Sequence, residues 1–154
     1  MFQGNQLAGL HMNRAKGYDA NGDKESALKD YNRALELAPD IANIYYNRAV
    51  LLVSEHDYDS ALKDYNAAIR LNPRYVAALY NRGKLYEFKH ESATAIADFT
   101  DAIHLEPTAS VLYQQRGLVH IQQQEFDLGL EDENQAVRLA PSSAKRWPRF
   151  FGQV

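Results

Sequence analysis

The chain of 154 residues contains no cysteine. That absence excludes disulfide bridges, thiol nucleophiles and metal sites with cysteine ligands, although it leaves the redox compartment open. No apolar run approaches the roughly 20 residues that a membrane-spanning helix needs. The N-terminal segment also lacks the basic start and apolar centre of a secretion signal. We therefore expect a cytoplasmic protein without direct membrane insertion, and a signal removed from a longer precursor stays an open alternative.

A strong excess of charge of one sign is also missing, because 20 acidic residues face 17 basic ones and the net charge is −3. Such a balance gives no general attraction to phosphate backbones, so we expect no nucleic-acid partner. The sequence has no glycine-rich phosphate loop, no pair of histidines on one helical turn and no serine nucleophile elbow. We therefore predict a protein that is not an enzyme and that uses no cofactor or metal.

What the chain does have is internal repetition with a period of 34 residues. Leucine precedes each of four prolines by two residues, and alanine precedes each by five. The four prolines are evenly spaced at Pro39, Pro73, Pro107 and Pro141. Such self-similarity is typical of arrays of small structural units. The sequence predicts four repeats, preceded by residues 1–7 and followed by residues 144–154, with the boundaries 8–41, 42–75, 76–109 and 110–143.

Each repeat contains two apolar stretches with helical spacing, separated by a short polar turn. The proline ends the second helix, because the residue before a proline is pushed out of the α region. His56 and His90 occupy the same turn position, and we interpret them as surface histidines. No stretch alternates as a strand does, so we predict an all-α protein with helices over residues 9–21, 24–37, 43–55, 58–71, 77–89, 92–105, 111–123 and 126–139.

A 34-residue unit of two helices with small residues at fixed positions resembles the tetratricopeptide repeat family. In the first repeat the resemblance rests on Ala15, Ala27, Tyr31, Ala34 and Pro39, and the later repeats keep most of these positions. It covers residues 8–141 and implies a right-handed superhelical α-solenoid whose first helices line a concave groove. The family is a scaffold shared by many functions, so the resemblance implies only that the partner is another protein or a peptide.

In this family, positions 2, 5, 6, 9, 12 and 13 of the first helices face the groove, counted from Ala8, Ala42, Val76 and Ser110. Position 6 carries an amide in every repeat: Asn13, Asn47, Asn81 and Gln115. An amide both donates and accepts, so this row could hold a peptide backbone; a merely solvated polar row is the alternative. Positions 5 and 9 complete the predicted groove with Met12, Tyr46, Tyr80, Gln114, Lys16, Val50, Lys84 and Leu118.

The tyrosines of this groove have a second interpretation, which is packing between repeats. Lys16 and Lys84 favour some acidic character in the ligand. Some family members hold the acidic C-terminus of chaperones in a clamp of Lys, Asn and Arg side chains. Of the corresponding residues here, only Asn47 matches that pattern, so we do not expect a carboxylate clamp.

Two charged positions also recur in all four repeats, with arginine at position 7 and aspartate at position 23. In an antiparallel hairpin that turns near position 15, these two positions lie opposite each other. The sequence therefore predicts four ion pairs within repeats, and a charged binding row is the alternative interpretation. The pairs are Arg14 with Asp30, Arg48 with Asp64, Arg82 with Asp98, and Arg116 with Asp132.

The two ends of the chain depart from the repeat. Glu133 replaces the aromatic residue of the other repeats, which indicates a less covered last helix. Residues 144–154 contain Trp147, Phe150 and Phe151, and three interpretations stay open: a C-terminal cap, a tail that docks on another molecule, or the start of a truncated fifth repeat. Residues 1–7 are interpreted as an N-terminal extension or the remainder of a cleaved tag.

Together these features predict a non-catalytic scaffold or adaptor that binds a peptide segment of a partner protein in its groove. Two alternatives remain. One is a structural scaffold that forms a homo-oligomer through its end repeats or its aromatic tail. The other is a regulatory module of a larger enzyme.

Overall fold

The computed structural model describes residues 2–139, apart from the side chain of Phe2. These residues form an all-α solenoid in which consecutive helices pair, and no strand occurs among them. Pro141 and the predicted cap at residues 144–154 lie outside this range. The eight helices are α1 (Phe2–Ala20), α2 (Lys24–Leu37), α3 (Ala42–Ser54), α4 (Tyr58–Leu71), α5 (Val76–Phe88), α6 (Ser92–Leu105), α7 (Ser110–Gln122) and α8 (Phe126–Leu139).

The helix boundaries differ from the predicted ones mainly at the N-terminus. Helices α2, α4, α6 and α8 have the predicted ranges, and α3, α5 and α7 begin and end one residue early. Helix α1 begins at Phe2 instead of residue 9, so residues 2–7 are helical. No proline occurs there, and Gly4 only weakens a helix without ending it.

The second helices have clear start signals in the first two repeats. The Asp23 carboxylate accepts a hydrogen bond from the backbone N–H of Ser26 at 3.0 Å, and Asp57 accepts one from Ser60 at 3.2 Å. Each bond satisfies a backbone donor that the first turn of a helix leaves open. At the other end of α2, the backbone N–H of Ala38 bonds to the carbonyl of Ala34 before Pro39 stops the helix.

The turn between the two helices of each repeat uses one residue in the left-handed region. Its φ angle is 81° at Gly22, 62° at His56, 61° at His90 and 63° at Gln124. Only glycine adopts this conformation freely, because a Cβ crowds the backbone there. The turn position that His56 and His90 share is therefore defined by its left-handed backbone conformation.

The chain divides into two compact units, residues 1–82 and the part that begins at Gly83, with the boundary inside α5. The core of the first unit combines small residues with large ones: Ala15, Ala27 and Ile44 are fully buried, and Tyr31 and Leu51 are 1% exposed. Small residues let paired helices approach, and the tyrosine fills the space beside them.

In the second unit, α7 and α8 approach each other through glycine. A Cβ added to Gly129 would lie 2.6 Å from Cγ1 of Ile121 and 3.1 Å from the carbonyl oxygen of Gly117. Both distances are shorter than normal van der Waals contact. The close crossing of these two helices therefore requires glycine at position 129.

Candidate functional site

The asparagines of the predicted amide row already make hydrogen bonds in the first unit. The Asn47 amide donates to the backbone carbonyl of Asn43 at 2.6 Å, and its Nδ2 lies 3.7 Å from Sδ of Met12. The Asn81 amide donates to the hydroxyl of Tyr46 at 3.0 Å. The NH₂ groups of Asn47 and Asn81 therefore hold neighbouring elements of the unit together, while Asn13 is exposed.

Tyr46 lies at the centre of an aromatic cluster in the same unit. Its ring centroid is 4.9 Å from that of Tyr75 and 6.2 Å from that of Tyr65. The Tyr75 hydroxyl donates to Oδ1 of Asn43 at 2.7 Å, and burial raises the pKa of Tyr75 to about 12. Tyr46 therefore packs between elements of the unit. Packing was the second of the two interpretations of the groove tyrosines.

In the second unit, predicted groove residues lie beside an open depression of about 640 Å³. The Lys84 ammonium donates to Oε1 of Gln115 at 3.1 Å, and the Gln122 amide donates to Oε1 of Glu87 at 3.2 Å. The Phe88 side chain is 62% exposed. The depression is lined by Lys84, Glu87, Phe88, His90, Ser92, Gln122 and Gln123.

Gln122 and Gln123 were missed in the sequence analysis. Gln122 is at position 13 of the fourth repeat, so extending the groove positions to that repeat would have found it. The remaining predicted groove residues differ in exposure. Lys16 and Val50 are exposed, and the half-buried ones are Met12, Tyr80, Gln114 and Leu118.

The arginines at position 7 form two-pronged ion pairs with aspartates in three repeats. Nε and Nη2 of Arg48 each lie 2.7 Å from an oxygen of Asp64. Arg116 and Asp132 have the same geometry at 2.8 and 2.7 Å, and Arg14 and Asp30 at 2.5 and 2.6 Å. Because Arg82 and Asp98 belong to different units, their pair stays a prediction.

The aspartates of these pairs are buried. Asp30, Asp64 and Asp132 are between 4% and 6% exposed. Hydrogen bonding from Arg14 lowers the pKa of Asp30 to about 2, and Nδ1 of His11 also lies 3.0 Å from this carboxylate. Buried carboxylates that already have partners support an architectural role, in preference to a charged binding row.

Each later arginine also bonds to the preceding repeat, a contact that the sequence analysis missed. Nη1 of Arg48 donates to Oδ1 of Asn32 at 2.7 Å, and Nη1 of Arg82 donates to Oδ1 of Asn66 at 2.6 Å. Nη1 of Arg116 donates to Oγ1 of Thr100 at 3.0 Å. We call this bond from position 7 to position 25 of the preceding repeat the arginine clip. In the sequence, position 25 carries a polar residue in every repeat: Asn32, Asn66, Thr100 and Asn134.

Part of the chain matches a known family of repeats. A family model described as TPR repeat matches residues 18–55 and 51–87. Residues 18–87 of the chain are tetratricopeptide repeats. The fold of the chain is that of a scaffold for protein–protein interaction.

Solved tetratricopeptide repeat structures share the fold of this chain. MamA from Desulfovibrio magneticus RS-1 is 21% identical with a TM-score of 0.82, over 90% of this chain and 78% of that one. PilF from Pseudomonas aeruginosa is 23% identical with a TM-score of 0.78, over 90% and 64%. A tetratricopeptide repeat protein from Parabacteroides merdae is 20% identical with a TM-score of 0.85, over 91% and 56%. At these identities the likeness shows the fold alone, and no curated protein sequence matches the chain.

Glu133 distinguishes the fourth tetratricopeptide repeat from the others. It is half-buried, whereas the aromatic residues at its position in the earlier repeats are at most 2% exposed. Within residues 2–139, its Oε1 is buried without a hydrogen-bond partner. Burial, together with the neighbouring Asp132, raises the pKa of Glu133.

Within residues 2–139 of this tetratricopeptide repeat protein, no cluster of three or more His, Asp or Glu side chains could hold a metal ion. None of the helices in the same range is both long enough and apolar enough to span a membrane.

Proposed function

We propose that the chain is a non-catalytic adaptor that binds an extended segment of a partner protein along its first helices. The observation that supports this most is the depression in the second unit, where the exposed ring of Phe88 lies among polar side chains. Binding sites in proteins typically combine an apolar anchor point with a few polar groups that fix orientation. The depression offers both.

The lining of the depression indicates the chemistry of the ligand. Phe88 supplies an apolar surface for one side chain of the peptide. Lys84 supplies a cation, and Glu87 lies on the same rim with the opposite charge. Because charges of both signs line the depression, we expect recognition of an apolar side chain flanked by polar backbone groups, without a requirement for a strongly charged peptide.

The amide row of the first unit offers hydrogen bonds of its own to a peptide backbone. The amide nitrogens of Asn47 and Asn81 already donate within the protein, so their side-chain oxygens would accept bonds from peptide N–H groups. Val50 is 40% exposed and would add apolar contact. A shallow surface of this kind is expected to bind single peptides with Kd values near the micromolar range.

The test is selection of binders from a phage-displayed library of random 12-residue peptides, followed by fluorescence polarisation with the selected peptides. We expect Phe88→Ala, and separately the double variant Asn47→Ala with Asn81→Ala, to weaken binding at least tenfold. Matched controls are Leu71→Ala, which removes an exposed apolar side chain from α4, and Asn5→Ala, which removes an exposed amide from α1. Circular dichroism checks that every variant is folded.

Each outcome bears on a different part of the proposal. Binding by the double asparagine variant within twofold of the wild type would reject the amide row. Unchanged binding by Phe88→Ala would reject the depression as the anchor site. A library that yields no binder above the level of the controls would contradict peptide binding as the function.

A further inference from the structure

We propose that the exposed face of the fourth repeat binds the exposed face of the first repeat in a second copy of the chain, head to tail. The proposal does not depend on peptide binding in the groove. It rests on residues that are covered in the internal repeats and exposed at the two ends.

At the N-terminal end, the exposed residue is the apolar one at position 3. In the later repeats this position is buried, with exposed fractions of 0% for Ile44, 0% for Ala78 and 2% for Leu112. In the first repeat it is Leu10, which is 66% exposed. Helix α1 therefore presents an apolar side chain that every later repeat buries.

The arginine clip is also incomplete at this end. The Arg14 side chain is 59% exposed, compared with 22% for Arg48 and 21% for Arg116. Arg14 uses Nε and Nη2 to bind Asp30, as Arg48 and Arg116 bind the aspartates of their repeats. Among residues 2–139, Nη1 of Arg14 makes no bond of the kind that Nη1 of Arg48 makes to Asn32.

At the C-terminal end, α8 exposes the complementary positions. Leu130 is 61% exposed and Val137 is 42% exposed, whereas the earlier equivalents of Val137 include Leu35 at 9% and Ile103 at 7%. Asn134 occupies the position from which Asn32 and Asn66 accept the clip bond, and all three are exposed. Helix α8 thus offers both the apolar surface and the acceptor that Leu10 and Arg14 would need.

The charges of the two end helices support the pairing. The exposed charged residues of α8 are Asp127, Glu131 and Arg138, with a net negative charge, and those of α1 are Arg14 and Lys16, with a net positive charge. Opposite net charges on two surfaces favour their encounter and disfavour contact of either surface with its own kind. Head-to-tail association is therefore favoured over head-to-head or tail-to-tail association.

A second copy matches this face better than residues 144–154 do. If the repeat continued, positions 3 and 7 of the next unit would be Arg146 and Phe150, whereas α1 offers Leu10 and Arg14. Trp147 does match the aromatic residue at position 4 of some repeats, and Gly17 of α1 lacks the apolar side chain usual at position 10. Compared with residues 144–154, however, only α1 has an apolar residue at position 3 and an arginine at position 7.

A head-to-tail contact leaves one free face at each end of a dimer, so it predicts chains of increasing length. Sedimentation velocity of the full chain from 5 to 500 μM should show a weight-average mass that rises with concentration. Leu10→Asp and Leu130→Asp should each remove this rise, because both side chains are exposed and a charge there would be buried in the contact. Leu71→Asp, at an exposed leucine of α4, is the matched control and should leave the rise unchanged.

Mixing the two variants gives the decisive test. Each variant keeps one intact face, so an equimolar mixture of Leu10→Asp and Leu130→Asp should form a 1:1 dimer that neither forms alone. A mixture that stays monomeric while the wild type associates would overturn the proposal. So would a wild type that remains monomeric at 500 μM, or an association that is lost, or first seen, when residues 144–154 are deleted.

Discussion

The arginine at position 7 illustrates how one side chain can serve two interfaces. Its planar group offers donors in a fixed fork, two of which match a carboxylate while a third points elsewhere. Arg48 uses the fork on Asp64 within its repeat and the third donor on Asn32 in the preceding repeat. The same residue thus closes the hairpin and sets the contact between hairpins.

This geometry predicts that lysine cannot replace arginine. In Arg48→Lys the charge remains, but one ammonium group cannot bond to both oxygens of Asp64 and to Asn32. We expect the free energy of unfolding to fall by about 1–2 kcal/mol, measured by urea denaturation. The control is Arg33→Lys in the exposed pair with Glu36, where a change below about 0.5 kcal/mol is expected. Equal effects of the two substitutions would contradict the two-sided role of Arg48.

Glu133 gives a prediction of pH dependence. Its pKa is raised in the folded protein, so the folded state favours the protonated carboxyl. The associated stability is fully present below the ordinary pKa of about 4.3 and is lost as the pH rises through the raised pKa. Glu133→Gln should therefore raise the free energy of unfolding at pH 7, by about 0.5–1 kcal/mol, and have less effect at pH 4.

Urea denaturation at both pH values checks this expectation. Glu131→Gln, at an exposed acidic residue on the same helix, is the control and should show little difference between the two pH values. A Glu133→Gln effect of the same size at pH 4 and pH 7 would mean that the charge is not the cause.

At the scale of helices and turns, the hairpin turn has an unfavourable backbone conformation in three repeats. His56, His90 and Gln124 have φ angles near 62°, where glycine is favoured and where the first repeat has Gly22. Gln124→Gly should stabilise the protein by up to about 1 kcal/mol in thermal or urea unfolding. Gln123→Gly is the matched control, because Gln123 has φ −84° and glycine there should destabilise. Stabilisation by both, or by neither, would argue against backbone strain at Gln124.

The helix ranges were largely predictable because each signal is local. The proline after α2, the Asp23 cap at its start and the polar turn before it all lie within a few residues of the boundary. The start of α1 was not predictable in this way, since residues 2–7 contain no stop signal and the repeat pattern does not extend to them. The left-handed turns escaped notice because histidine and glutamine do not mark that conformation as glycine does.

The site was predicted less completely than the fold. The groove positions follow from the repeat, and Lys84 and Gln115 do lie together. The bond from Asn81 to Tyr46 depends on how closely successive elements approach, which no single repeat encodes. The arginine clip joins residues 16 positions apart in different repeats, so it becomes visible only when the columns are compared across the array.

At the scale of the whole molecule, a repeat array has no central core, and each repeat is supported by its neighbours alone. Hydrogen exchange measured by mass spectrometry should therefore show slower exchange in α3 and α4 than in α1 and α8, which lie in end repeats. The expectation follows because local opening at an end breaks contacts with one neighbour, whereas opening inside the array breaks contacts with two. Equal protection in all four helices would indicate that the array unfolds as one cooperative body.

The arginine clip has a consequence for changes in the length of the array. Donor and acceptor sit at fixed positions of adjacent repeats, so removing residues 42–75 would bring Arg82 after Asn32 and recreate the same donor–acceptor pairing. Duplication of that segment would do likewise, with one new clip for each added unit. Gene rearrangements in steps of 34 codons would therefore yield foldable proteins, whereas insertions of other sizes within a hairpin would leave an arginine opposite the wrong neighbour.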